Sequence, residues 1–197
     1  MGIINYLDNS SKVPINVNYF CMKRLFFLML ILLPSLLFAQ NENKSKYDEF
    51  LSSSKLITTV TYSIPDVTLT TAYGDGKYTE SISFSIDKMS DDKSSSLFLV
   101  IRHHKFDEAS YVILESSEVK ELYASLKLIQ DKINMPKPEE AVSISYSYMS
   151  DSGLSVKYEK DWTIKLERYN KDRIWVSDIE PLCERLNEII QRMEALK

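Results

Sequence analysis

From Leu56 onward, apolar and polar residues alternate with a period of two, the spacing of strands that bury one face. Val60, Tyr62 and Ile64 fall on one side and Thr59, Thr61 and Ser63 on the other, ending at Pro65. Residues 67–73 read as a second strand, Gly74-Asp75-Gly76 as a tight turn, and residues 77–87 as the returning strand. In that return Ile82, Phe84 and Ile86 alternate with Ser81, Ser83 and Ser85, the clearest half-buried strand of the chain. After a polar loop over 89–96, the near-continuous apolar run 97–103 predicts a central strand covered on both faces. Residues 105–108 turn the chain and 109–114 run back.

The period then changes to that of a helix. Val119, Leu122, Leu126, Ile129 and Ile133 form one stripe, with Ser116 or Ser117 as the cap and Glu118 in the first turn. Pro136 and Pro138 end it, because proline has no amide hydrogen to give a helix. The order repeats further on. Val142, Ile144, Tyr146 and Tyr148 alternate with Ser143, Ser145 and Ser147; Asp151-Ser152-Gly153 turns; Leu154, Val156 and Tyr158 line the next strand. Trp162, Ile164 and Leu166 line another, and residues 173–176 form a short last strand. Ser177 and Glu180 have capping-box spacing ahead of the stripe Leu182, Leu186, Ile189, Ile190 and Met193.

The pattern predicts an α+β fold: a meandering antiparallel sheet with two long helices on one face, their core built on Leu122, Leu126, Leu182 and Leu186. A single domain over 55–197 divides into pattern-related halves, 55–135 and 139–197, consistent with internal duplication of a hairpin-and-helix unit or with common architecture alone. Residues 40–54 read as a flexible tail, in which Tyr47, Phe50 and Leu51 have the spacing of one helical turn.

Residues 22–40 stand apart. Met22-Lys23-Arg24 precedes an apolar run over 25–38 and the small residue Ala39, the layout of a secretory signal peptide with Met22 as a natural start. As a helix that run would span roughly 21 Å, short of the ~30 Å hydrocarbon core, so a retained anchor is the lesser alternative. The leader is expected over 1–39, the location periplasmic or extracellular, and no stable membrane anchor is expected after its removal. Cys21 lies before the apolar run, where a lipoprotein cysteine would follow it. Removal leaves Cys183 alone, so no intramolecular disulfide is expected.

Charge narrows the partners. The whole chain carries −4, and without Lys12, Lys23, Arg24 and Asp8 the remainder carries −6. An acidic exported domain lacks the clustered Lys and Arg of a phosphate-backbone binder, so nucleic acid is excluded as a partner. An unknown protein, peptide or glycan is expected instead, with the oligomeric state left open.

Catalytic signatures are absent from the pattern. His103 and His104 are adjacent on a strand, point to opposite faces and cannot chelate one metal together; they read as a solvated strand end. Cys183 sits among Leu182, Leu186 and Ile190 as a packing residue. Glycines after the leader stand only at 74, 76 and 153, which leaves no phosphate-cradling loop and no Gly-x-Ser-x-Gly elbow. No cofactor and no metal site is expected. Trp175 is the exception to this blandness. Ile174 and Val176 should face the core, which turns the indole to the opposite, open face. With Ser83 and Ser145 it makes the candidate binding set, a shallow hydrogen-bonding surface, although such serine rows also suit a plain solvated face. Phe84, Ile144 and Ile164 are expected to point toward the helices.

Three readings follow: a non-catalytic binding or interaction module of the cell envelope, a hydrolase of envelope or extracellular polymers using carboxylates such as Asp161 or Glu167, and a self-associating structural component.

Overall fold

Ile82, Phe84 and Ile86 end up in the middle of the first of two four-stranded antiparallel sheets. The computed structural model describes residues 45–53, 56–71, 78–105, 108–141, 143–166 and 173–197, all within one unit, Ser45–Lys197. The leader expected over 1–39 lies outside the described residues. The first sheet is a meander of β1 (Thr58–Thr70), β2 (Thr79–Ser90), β3 (Ser95–Lys105) and β4 (Glu108–Glu115). Register aligns Phe84 with Ile101 and Val112, and Ile86 with Leu99 and Leu114, so the apolar row of each strand lies on the same face.

Two strands expected on either side of Pro65 are one. β1 runs through Pro65-Asp66, and its register against β2 shifts between Ile64 and Val67. Proline is tolerated there because β1 is the edge of its sheet and the irregularity removes the need for a ladder amide.

The second sheet is another meander, β5 (Tyr146–Met149), β6 (Ser155–Tyr158), β7 (Trp162–Lys165) and β8 (Ile174–Val176). Gly153, at φ 97°, makes the β5–β6 turn in a conformation that costs other residues strain. Among the described residues a single bridge, Thr71–Val176, together with the Ser177 amide on the Thr70 carbonyl at 3.0 Å, sets β8 beside the end of β1. Within the sheets the order is β1-β2-β3-β4 and β5-β6-β7-β8.

Helix α1 (Lys46–Ser53) lies within the segment expected as a tail, where Tyr47, Phe50 and Leu51 have helical spacing; residues 40–44 and 54 lie outside the described residues. Phe50 is buried with Met89 and Phe98, and the Tyr47 ring meets Phe98 edge-on at 5.2 Å. Met89 and Phe98 belong to the sheet face away from the main core, so β3 is covered on both sides, as its continuous apolar run predicts.

Helices α2 (Ser116–Ile133) and α3 (Glu180–Ala195) bury Val119, Leu122, Leu126, Ile129, Leu182, Leu186, Ile189 and Met193 in one core with the inward rows of both sheets. They run antiparallel: Lys120 pairs with Glu194 at one end and Lys127 with Glu180 at the other. Their starts differ from expectation. The N-cap of α2 is Glu115, whose amide donates to the Glu118 carboxylate at 3.0 Å. The Ser177–Glu180 capping box does not form, because the Ser177 hydroxyl is turned to the Thr70 carbonyl at 3.3 Å; Asp178 accepts the Glu180 amide instead, at 2.9 Å. Each half thus runs as four strands and a helix, although strands of 13, 12, 11 and 8 residues in the first correspond to 4, 4, 4 and 3 in the second.

Candidate functional site

The face of the second sheet away from the core carries the row Ser147, Lys157, Thr163 and Trp175, aligned strand by strand. Their neighbours Val156, Ile164, Ile174 and Val176 are all buried. Burial of Ile174 and Val176 leaves the Trp175 indole on the outer side, 37% exposed. Tyr158 and Trp162 close the β6–β7 hairpin, their rings 5.1 Å apart, and hold the three-residue loop Glu159-Lys160-Asp161 at its end. Lys157 and Glu159 are two apart on one extended segment and therefore share a face, where the ammonium donates to the carboxylate at 2.6 Å.

A wall comes from the connection between α2 and β5. Its two prolines keep it from continuing as helix, and the Ala141 amide closes a turn on the Pro138 carbonyl at 3.0 Å. Lys137, Ser143 and Ile144 from this connection join Lys157, Glu159, Lys160, Asp161, Thr163 and Trp175 around a pocket of about 530 Å³. Among the described residues its lining offers an aromatic plane, one aliphatic side chain, two hydroxyls, three ammonium groups and two carboxylates. Lys157 is engaged by Glu159, while Lys137 and Lys160 make no ion pair among the described residues. Mixed walls of this kind suit a polar, partly apolar-faced ligand held by side chains.

Of the expected candidates, Trp175 lies in this pocket and Ser83 and Ser145 do not line it. Ser145 is exposed just before β5, and Ser83 is half-buried on β2, its hydroxyl 3.5 Å from the Arg102 carbonyl. The serine row of β2 is not uniformly solvated either, since Ser85 is buried and accepts from the Arg102 guanidinium at 2.9 Å. Phe84 and Ile164 point into the core as expected. Ile144 does not: pairing begins only at Tyr146, so strand alternation imposes nothing on Ile144, and it lines the pocket instead. Asp161 is a lining residue, and Glu167 lies outside the described residues. Ser143 belongs to the serine row that the sequence places on the open face, whereas Lys137, Lys157, Lys160 and Thr163 are not singled out by sequence; the alternation of Lys157 and Glu159 with Val156 and Tyr158 is the signal that carries part of the set.

His103 also departs from expectation. It is 3% exposed, in line with Ile82 and Ser110 on the core side, and its Nε2 lies 2.9 Å from the Glu80 carboxylate. His104 is exposed on the other face. Cys183 is fully buried, and burial pushes its thiol up to about 11, the opposite of an activated nucleophile. Among the described residues, no group of three or more His, Cys, Asp or Glu is placed to hold a metal ion.

No known protein family, curated protein or solved structure matches the chain.

Proposed function

We propose that this protein is exported and serves as a non-catalytic binding module of the cell envelope, holding a polymer against the outer face of its second sheet. The observation that carries the reading is Trp175, a large ring exposed in a pocket while both of its sequence neighbours are buried. Tryptophan is among the residue types enriched at binding hot spots, since one rigid ring covers much area at little entropic cost. Export rests on the leader pattern of residues 22–40.

A hydrolase is the second reading, because Glu159 and Asp161 line the same pocket. Hydrolysis of a glycosidic bond needs one carboxyl as acid and another as base or nucleophile. Lys157 already occupies Glu159, which favours holding over cleaving.

Iodide quenching separates the two tryptophans, since Trp162 is buried and Trp175 is exposed. Solubilised envelope polysaccharide is expected to shield Trp175 from iodide, and Trp175→Ala to weaken retention of that polysaccharide at least about thirtyfold. Unchanged quenching and equal retention by the variant would overturn the reading. Shortening of the polysaccharide by the wild type and not by Asp161→Asn would establish the hydrolase.

A further inference from the structure

We propose that the ligand of the Trp175 pocket is an acidic glycan, one whose sugar rings carry carboxylates. This deepens the binding reading and rests on it. Among the described lining residues, three lysines and two carboxylates give one net positive charge, in a chain whose total is −4. With Lys157 and Glu159 joined to each other, Lys137 and Lys160 are the ammonium groups left to meet a ligand among the described residues. A local positive site on an acidic protein concentrates anions there and turns them away elsewhere.

The strand pairing argues for a sugar over a peptide. β6 and β7 are hydrogen-bonded on both sides, so the pocket floor offers no ladder positions to which a peptide strand could be added. Recognition falls to side chains: the Trp175 ring, the Thr163 and Ser143 hydroxyls, and the two ammonium groups. A pyranose presents a flat C–H face to stack on the indole and ring hydroxyls to reach Thr163 and Ser143. Its carboxylate then meets Lys137 or Lys160 in charge-assisted hydrogen bonds.

Calorimetry of the purified protein with three probes tests this: a uronic-acid hexasaccharide, the same hexasaccharide with its carboxyls reduced to alcohols, and a hexaglutamate peptide. The uronate is expected to bind with an affinity that falls as salt rises, and carboxyl reduction to cost at least tenfold. Lys137→Gln with Lys160→Gln should weaken the uronate roughly tenfold or more while leaving any affinity for the reduced sugar unchanged. Trp175→Ala should weaken both sugars. An unchanged melting temperature in each variant shows that the fold is retained. Equal affinity for the two sugars would overturn the acidic-glycan assignment and leave the Trp175 site standing. Preference for hexaglutamate would overturn it in favour of an acidic protein partner. No binding of any probe, with Trp175 equally quenched throughout, would remove the site and this inference together.

Discussion

Ser152 gives Glu118 two hydrogen bonds, one from its backbone amide at 3.0 Å and one from its hydroxyl at 2.8 Å. The same carboxylate takes the Glu115 amide that begins α2, and the Tyr148 hydroxyl reaches the Glu118 carbonyl at 3.5 Å. One acidic side chain thus fastens the first turn of a helix to the β5–β6 turn of the other half. Hydrogen bonds to a charged group contribute more than neutral ones, and losing the carboxylate strands several donors at once. Glu118→Ala is expected to cost about 1–3 kcal/mol in urea denaturation, and Ser152→Ala about 1 kcal/mol. A loss below about 0.3 kcal/mol for both would show that the Glu118 carboxylate does not fasten the two halves.

Cys183 should be inert in the folded protein. With the thiol pushed up to about 11 by burial, almost none of it is thiolate at pH 8, and none is reachable. Iodoacetamide at pH 8 is expected to leave Cys183 unlabelled until urea unfolds the chain, as read by mass spectrometry of its peptide. Labelling at the native rate of a small thiol would contradict its place between the helices.

Acid should loosen the α2–α3 contact. Glu180 is held below its ordinary 4.5 by hydrogen bonds from Lys127 at 2.7 Å and Gln130 at 2.6 Å. Its contribution is therefore complete above about pH 4.5 and is lost as pH falls through the lowered value. Lys127 is raised above 10.5 by the same Glu180 hydrogen bond, so its share holds below that pH and is lost as pH rises past the raised value. Both side chains are about 40% exposed, so solvent screening keeps the pair near 0.5 kcal/mol. Glu180→Gln should lower stability by that amount between pH 5 and 10, with the gap to wild type closing below pH 4.5. A gap that persisted at pH 2.5 would assign the effect to packing.

Processing near Ala39 is expected if the protein is exported as proposed. N-terminal sequencing of the protein recovered outside the cytoplasm should begin within a few residues of Gln40. A chain still carrying residues 25–38 would contradict processing and would favour a retained anchor.

Element types were legible because burial on one face imposes a period, and the rows around Phe84, Ile101 and Leu122 follow it closely. What escaped were places where a distant partner overrides a local preference. Ser177 has the spacing of a cap, yet it serves the junction with Thr70. His103 sits at a strand end rich in charge, yet its phase with Ile101 and the reach of Glu80 bury it. Trp175 was legible because Ile174 and Val176 bracket it within three residues. The pocket around it was not, since Lys137, Ile144 and Lys160 come from segments with no common periodicity and meet only through the α2–β5 connection.

The seam between Thr71 and Val176 bears on how the molecule meets other copies of itself. Two separate four-stranded sheets would present four rims of unsatisfied backbone, each a template for another chain. The Thr71–Val176 bridge covers only the facing ends of β1 and β8, so along most of its 13 residues β1 remains a rim, broken by Pro65 and the shift in register beside it. A proline and a broken register are what keep a long edge from serving as a template, so the defence of β1 against another chain lies in its own sequence at Pro65-Asp66.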